Sequence, residues 1–392
     1  MSFLLQGPES MRTSKLFNDF FENERSSGLV LIGCTLISFI LANSAFHDEY
    51  SAIWNYEIAG HHFSHWINDG LMTIFFLLVG LELEREIYIG ELSSLRKAML
   101  PVIAACGGMI VPAALHVAFN YGSSTQSGVG IPMATDIAFA LAALSLVGKR
   151  VPVSLKVFLT ALAVIDDLGA ILVIAFFYTD SLQWTNLIIS LSTFVVLLVF
   201  NRLKVRSLIP YLLGGVIMWW YMLHSGVHAT ISGVLLAFAI PFQNGEPEST
   251  SYKLQKFLHR PVPFLILPLF ALANTSVALP DGWIHRLTEP NSVGIFVGLV
   301  IGKPLGISLF PYVSSLLKMT RLPADINWQH IIGAGMLGGI GFTMSIFITL
   351  LAFDDPSVID QSKIVITLSS TVAGIAGYFF LSFVKRANKA TR

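Results

Sequence analysis

Val157-Phe158-Leu159-Thr160-Ala161-Leu162-Ala163-Val164-Ile165-Asp166-Asp167-Leu168-Gly169-Ala170-Ile171-Leu172-Val173-Ile174-Ala175 decides how the rest of this chain is read. A helix of about 20 predominantly apolar residues is what a bilayer crossing requires. Two adjacent acids, Asp166 and Asp167, interrupt the run at its centre. An ionisable group at bilayer depth costs at least a few kcal/mol, so each acid is a functional candidate by default. On a helix the two side chains point about 100° apart and cannot duplicate each other on one face. One can face a cation path while the other meets a cationic partner.

Outward from this run, apolar stretches of spanning length recur along the whole chain. Twelve are centred near Leu36, Phe76, Met109, Phe139, Ile165, Thr193, Val216, Leu235, Leu265, Gly302, Phe342 and Ile375. The composition agrees: 54% of the 392 residues are hydrophobic and 12% charged, with a mean hydropathy of +0.70. Such a chain is an all-α membrane protein, expected to form one integral domain over residues 1–392 with short cytoplasmic tails. The 24 Lys and Arg balance 24 Asp and Glu, which excludes a basic nucleic-acid binder and an acidic disordered chain. Cys34 and Cys106 lie inside apolar runs and build neither a disulfide framework nor a Cys/His metal spacing. They read as small, soft core residues. The mixed-charge leader before the first run makes a poor signal peptide, so an uncleaved first helix is expected.

Lys and Arg in short loops stay cytoplasmic. With the N-terminus inside, 21 of the 24 cations fall on the inner side, Arg286 and Lys363 fall outside, and Lys303 stands inside the tenth span. That split supports an even span count with both termini cytoplasmic. The first outer loop, about residues 45–65, alternates in Ile53-Trp54-Asn55-Tyr56-Glu57-Ile58-Ala59-Gly60-His61-His62-Phe63 and carries a turn-like Ala-Gly, so a short hairpin is expected there. His61, His62 and His65 admit a metal-cluster reading, and solvated loop histidines is the preferred one.

Four charges therefore need an explanation: Asp136 in span four, Asp166 and Asp167 in span five, and Lys303 in span ten. A static ion-pair network that merely orients helices needs one Lys and one Asp. Three acids against one base leave an excess of negative charge that such a network has no reason to keep. Backbone breakers accompany them. Gly128-Val129-Gly130-Ile131-Pro132-Met133-Ala134-Thr135-Asp136 enters span four, and Gly333, Gly335, Gly338, Gly339 and Gly341 precede Phe342-Thr343-Met344-Ser345 in span eleven. Irregular backbone at this depth is tolerated where it lines a cavity or packs in protein; the plainer alternative is that the glycines only permit close helix packing. The expectation is that spans four and eleven are interrupted helices crossing at the midplane, in two inverted repeats made of spans three to five and ten to twelve. Interrupted helices expose half-helix ends whose dipoles need compensation. Asp136 suits the positive ends and Lys303 the negative ends.

Two midplane carboxylates in a Gly-broken, oxygen-rich setting suit a small hard cation. Na+ can exchange its hydration shell for the carboxylates of Asp166 and Asp167, the hydroxyl of Thr135 and opened backbone carbonyls. The same oxygens can hold a proton or a sodium ion but not both. Competition at one site that faces alternate sides makes an exchanger, and Lys303 can pair with an acid when the ion is absent.

Five motifs in order then resemble one family: Ala134-Thr135-Asp136-Ile137-Ala138-Phe139-Ala140, Ala163-Val164-Ile165-Asp166-Asp167-Leu168-Gly169-Ala170, Ser225-Gly226-Val227-His228-Ala229-Thr230, Ile301-Gly302-Lys303-Pro304-Leu305-Gly306 and Gly338-Gly339-Ile340-Gly341-Phe342-Thr343-Met344-Ser345. The chain resembles the NhaA-type bacterial sodium/proton antiporters over essentially all twelve spans. The resemblance implies an inner-membrane protein that exports Na+ or Li+ against a larger number of entering protons and is activated at alkaline pH, with no cofactor. It implies Asp167 as principal ion and proton ligand, Asp166 beside it or paired with Lys303, and Asp136 and Thr135 at the crossing. Glu82, Arg85 and Glu86 resemble a cytoplasmic funnel for ion access and pH response, and His228 resembles a pH-response position; by the residues alone these read as a solvated helix end and a packed polar group. The outer hairpin resembles a homodimer contact. Two positions depart from the pattern: Glu84 stands where a basic residue is expected, and Gln255 where members often carry glutamate.

Other classes fit less well. An intramembrane aspartyl protease needs a Gly-x-Gly-Asp motif that this chain lacks, and a midplane lysine spoils a shared-proton dyad. A passive channel favours symmetry-repeated rings. A proton-coupled symporter of an organic solute is the runner-up.

Overall fold

The computed structural model describes residues 26–178, 182–279 and 282–384. The tail cations Arg12, Lys15, Arg25, Lys385, Arg386, Lys389 and Arg392 lie outside the described residues. The architecture is helical, as the runs of apolar residues predict. Helix α1 covers Ser26–Ala42 and bends by 117° into α2, His47–Asn55. The hairpin follows, with β1 at Glu57–Ile58 pairing antiparallel with β2 at His61–His62, in the register Glu57↔His62 and Ile58↔His61. Ala59 and Gly60 turn it with φ of 53° and 85°, the doubly positive pattern that matches the twist of a tight hairpin. The strands are shorter than the alternation suggests, because Ile53, Trp54 and Asn55 finish α2, whose acids Asp48 and Glu49 sit favourably in its first turn.

The principal helices then run in order: α3 Met72–Tyr88, α4 Leu95–Asn120, α5 Ile137–Val147, α6 Val153–Phe177, α7 Trp184–Arg202, α8 Ile209–Leu223 and α9 Ile231–Ala239. They continue as α10 Thr250–Leu258, α11 Leu267–Asn274, α12 Pro290–Val297, α13 Lys303–Leu316, α14 Trp328–Gly338, α15 Phe342–Ala352 and α16 Pro356–Phe383. Among the described residues, eight helical stretches are long and apolar enough to cross a membrane, or ten if each of two bent pairs is one span. The bent pairs are α1 with α2 and, at 47°, α14 with α15. The seventh and eighth apolar runs of the sequence fall on the shorter α8 and α9. Gly226, at φ 85°, and the turn through His228–Thr230 consume residues before α9 begins.

Apolar side chains on α7 such as Ile188, Leu191, Val195 and Val199 are exposed, as expected of a helix whose solvent is lipid rather than water. The buried centre is built from α4, α6, α13, α14, α16 and the two interrupted spans. Its tightest approach joins α4 to α13. A Cβ placed on Gly306 would lie 2.0 Å from the carbonyl oxygen of Gly107, and one on Gly107 would lie 2.2 Å from that of Gly306. Backbones this close require two glycines face to face, the small-residue packing that membrane helices favour. The contact holds α13, and with it Lys303, against the core.

Candidate functional site: crossed helix breaks around buried carboxylates

Span four enters as a 3-10 segment, Gln126–Met133, loses helical geometry through Ala134, Thr135 and Asp136, and resumes as α5. Pro132 and the two nearby glycines weaken the α-helix where it changes form. Span eleven stops at Gly338, bends, and resumes at Phe342. The breaks touch. The Asp136 N–H donates to the Ile340 carbonyl at 2.6 Å, the Thr135 hydroxyl lies 2.9 Å from the Gly338 carbonyl, and the Ser345 hydroxyl donates to the Ile131 carbonyl at 2.7 Å. Carbonyls left open by one interrupted helix are thus satisfied by the other. The glycines of span eleven also serve close packing, since a Cβ on Gly339 would lie 2.4 Å from the Leu299 carbonyl oxygen.

Asp136 compensates both opened N-termini. Its Oδ1 accepts from the Phe139 N–H at 3.0 Å, capping α5, and its Oδ2 accepts from the Thr343 N–H at 3.1 Å and from the Thr343 hydroxyl at the start of α15. A carboxylate between two helix N-termini faces the positive ends of both dipoles.

Asp166 and Asp167 are placed by α6 and are 0% and 1% exposed. Asp166 Oδ2 pairs with Lys303 Nζ and accepts from the Thr135 hydroxyl at 2.7 Å. Lys303 also donates to Thr135 Oγ1 at 2.7 Å. With one proton to give, Thr135 serves either Asp166 or the Gly338 carbonyl. Lys303, itself 0% exposed, stands where a π-helical turn, Gly298–Gly302, meets α13; Pro304 next to it supplies no N–H to the helix ladder. Asp166 Oδ1 and Asp167 Oδ1 are both buried with no hydrogen-bond partner among the described residues. Each of these two neighbouring carboxylates thus keeps acceptor capacity that its surroundings leave unused.

Of the other anticipated residues, Glu82 is near enough for its charge to act on Asp167, while the bonds of Arg85, Glu86 and His228 are made elsewhere. Glu82 on α3 is 3.9 Å from His259 Nδ1. Arg85 reaches Gln255 Oε1 at 3.5 Å and lies over the Tyr252 ring at 5.4 Å, while Glu86 Oε2 accepts from the Glu91 N–H at 2.9 Å. The departing residues sit in the same α3–α10 contact: Gln255 faces Arg85, and buried Glu84 accepts from the Ser251 hydroxyl at 3.4 Å. His228 Nε2 is 2.6 Å from the Tyr178 carbonyl, tying the start of span eight to the end of α6. In the hairpin region His62 Nδ1 meets the Asn55 carbonyl at 2.9 Å, and His65 pairs with Asp69 at 3.0 Å.

Over residues 18–381 the chain matches the family described as Na+/H+ antiporter 1. The chain belongs to the NhaA family of Na+/H+ antiporters. It is 63% identical over 374 residues to the Na+/H+ antiporter NhaA of Flavobacterium psychrophilum, covering 95% of this chain and 97% of that one. It is 61% identical over 381 residues to the Na+/H+ antiporter NhaA 1 of Flavobacterium johnsoniae, covering 97% and 100%. The NhaA of Dechloromonas aromatica is 56% identical over 379 residues, covering 96% and 97%. This NhaA-family chain brings Thr135, Asp166 and Lys303 into one bonded cluster, with Asp167 next to Asp166 and with Asp136, beside Thr135 in the chain, bonded separately to Phe139 and Thr343. Sequence reading took Thr343 as the counterpart of Thr135 at the second break but not as a partner of Asp136, and left Ile340 and the Gly107–Gly306 contact without roles.

Proposed function

We propose that the protein is an electrogenic Na+(Li+)/H+ antiporter that exports Na+ against entering protons by alternating access, through competition of Na+ and H+ for Asp166 and Asp167. The observation that supports this most strongly is the pair of unpartnered, buried oxygens on these two residues beside the crossed breaks. A proton on either carboxylate removes charge and an acceptor that the cation needs, so occupancy by one excludes the other. Lys303 compensates Asp166 when the cation is absent, and Na+ binding displaces that pairing. Thr135 switches its single proton between Asp166 and Gly338. In this reading Asp136 compensates helix ends, although its carboxylate adjoins the site. Glu82, Arg85, Glu86 and His228 are assigned to ion access and pH response, with Glu84 and Gln255 setting where on the pH scale this chain responds. Na+, Li+ and H+ are transported substrates, no cofactor is assigned, and no enzymatic step is invoked.

The same proposal carries twelve spans in one domain, inverted repeats over spans three to five and ten to twelve, cytoplasmic termini, residence in a bacterial inner membrane and a homodimer joined through the outer hairpin. Each break satisfying the other's open groups is what a two-fold pseudosymmetric crossing requires. Everted membrane vesicles test the activity: Na+ or Li+, but not K+, should collapse a preformed pH gradient at alkaline pH. A gradient insensitive to Na+ across the pH series overturns the reading.

A further inference from the structure

A second site of mixed charge lies far along the chain from the carboxylates, at the N-terminal end of α16. A cavity of about 230 Å³ is lined there by Trp283, Arg286, Leu287, Ser357, Asp360 and Ile364, among others. Of the two cations that the charge distribution leaves on the outer side, Arg286 lines it, and Lys363 lies outside the lining, 3.9 Å from the lining residue Asp360. Arg286 Nη1 donates to the Ser357 hydroxyl at 3.0 Å, which gathers a guanidinium and a hydroxyl on one wall. Asp360 is half-exposed, and its contact with Lys363 Nζ is 3.9 Å, beyond hydrogen-bond distance. Its carboxylate therefore keeps most of its acceptor capacity. Glu289 is engaged elsewhere, accepting from Gln361 Nε2 at 2.9 Å. The cavity thus offers donors for an anion and a carboxylate for a cation.

An independent feature leads away from the cavity. Ile364 on its wall is followed, at helical spacing on the same face of α16, by Leu368, Thr371 and Ile375. All three are exposed, Leu368 at 40% and Ile375 at 54%. From Ile364 to Ile375 the track is about 16 Å long at 1.5 Å per residue. Trp283 in the lining is a side chain suited to the membrane–water boundary. A small soluble zwitterion accounts for the charged end alone; a ligand with a long apolar tail accounts for both.

We propose that this cavity seats the headgroup of an aminophospholipid, its phosphate on Arg286 and Ser357, its primary ammonium on Asp360, and an acyl chain along Ile364, Leu368, Thr371 and Ile375. The assignment is independent of the transport reading. The test is native mass spectrometry of the delipidated full chain titrated with phosphatidylethanolamine, phosphatidylcholine or phosphatidylglycerol. The wild type should retain phosphatidylethanolamine preferentially, because only it combines the phosphate with an ammonium that donates hydrogen bonds. Asp360→Asn should reduce that preference about tenfold, the loss of one charge-assisted hydrogen bond, and Arg286→Gln should weaken all three lipids. Soluble glycerophosphoethanolamine at equal concentration should leave the lipid adduct in place. Na+-dependent exchange retained by both variants establishes that they are folded; if either loses it, an unchanged far-ultraviolet dichroism spectrum serves the same purpose. Equal retention of the three lipids, a preference that survives both substitutions, or displacement by the soluble headgroup overturns the proposal.

Discussion

Asp136→Asn separates the helix-end role of Asp136 from the ion chemistry of its neighbours. The carboxylate accepts from the Phe139 N–H at 3.0 Å, from the Thr343 N–H at 3.1 Å and from the Thr343 hydroxyl. Asparagine keeps one acceptor oxygen and replaces the other with an amide NH2. If the oxygen stays on Phe139, the NH2 faces the Thr343 N–H, donor against donor, and the start of α15 loses its counter-charge. Hydrogen bonds to charged groups contribute about 1.5 to 3 kcal/mol each, so the variant should lose about 3 kcal/mol. In a chain of this size that corresponds to a fall of roughly 4 °C in Tm. The assay is thermal unfolding of the detergent-solubilised protein followed by tryptophan fluorescence, beside vesicle exchange on the same variant. Thr343→Val, which deletes the hydroxyl but keeps the N–H, should produce a smaller fall. An unchanged Tm with complete loss of Na+-dependent exchange would refute the reasoning and make Asp136 an ion ligand.

Two further substitutions probe the surroundings. Lys303→Met leaves Asp166 buried without its cation and should destabilise the protein by about 3 to 5 kcal/mol, whereas Lys303→Met combined with Asp166→Leu should regain much of the loss; a single variant as stable as wild type would show that the ion pair holds nothing together. Gly306→Ala places a Cβ 2.0 Å from the Gly107 carbonyl oxygen, so α4 and α13 must separate at a cost of about 1 to 3 kcal/mol. The same Tm measurement decides, and a fall of less than a degree would mean that the contact yields freely.

The buried charged residues were legible in the sequence because their signals are exceptions to a strong background. In a chain that is 12% charged, Asp136, Asp166, Asp167 and Lys303 announce themselves by standing inside apolar runs, and the glycines and Pro132 announce the breaks. Partnerships were less legible. The pairing of Lys303 with Asp166 was one of two arrangements that the resemblance left open, and the bonds from Asp136 across to Thr343 were not foreseen; both depend on how spans distant in sequence pack. Helical spacing within one span carries no information about that. The Gly107–Gly306 approach was hidden for the same reason, since each glycine alone looks like many others in membrane helices. The hairpin turn at Ala59–Gly60 followed from local chemistry, while the extent of α2 did not, because alternation over a few residues fits an amphipathic helix end as well as a strand. α8 and α9 show the converse limit: apolar length alone sets a run, but Gly226 and the following turn decide how much of it is helical.

The central claim is that one pair of carboxylates holds either Na+ or protons. Proton release on Na+ addition to the purified protein in weakly buffered detergent solution, read by a pH indicator, tests it directly. Na+ and Li+ should each release protons in a saturable way, K+ should release none, the apparent Na+ affinity should rise with pH as the competing proton thins out, and Asp167→Asn should abolish the release. Saturable Na+ binding without proton release, or release undiminished in Asp167→Asn, would contradict the account.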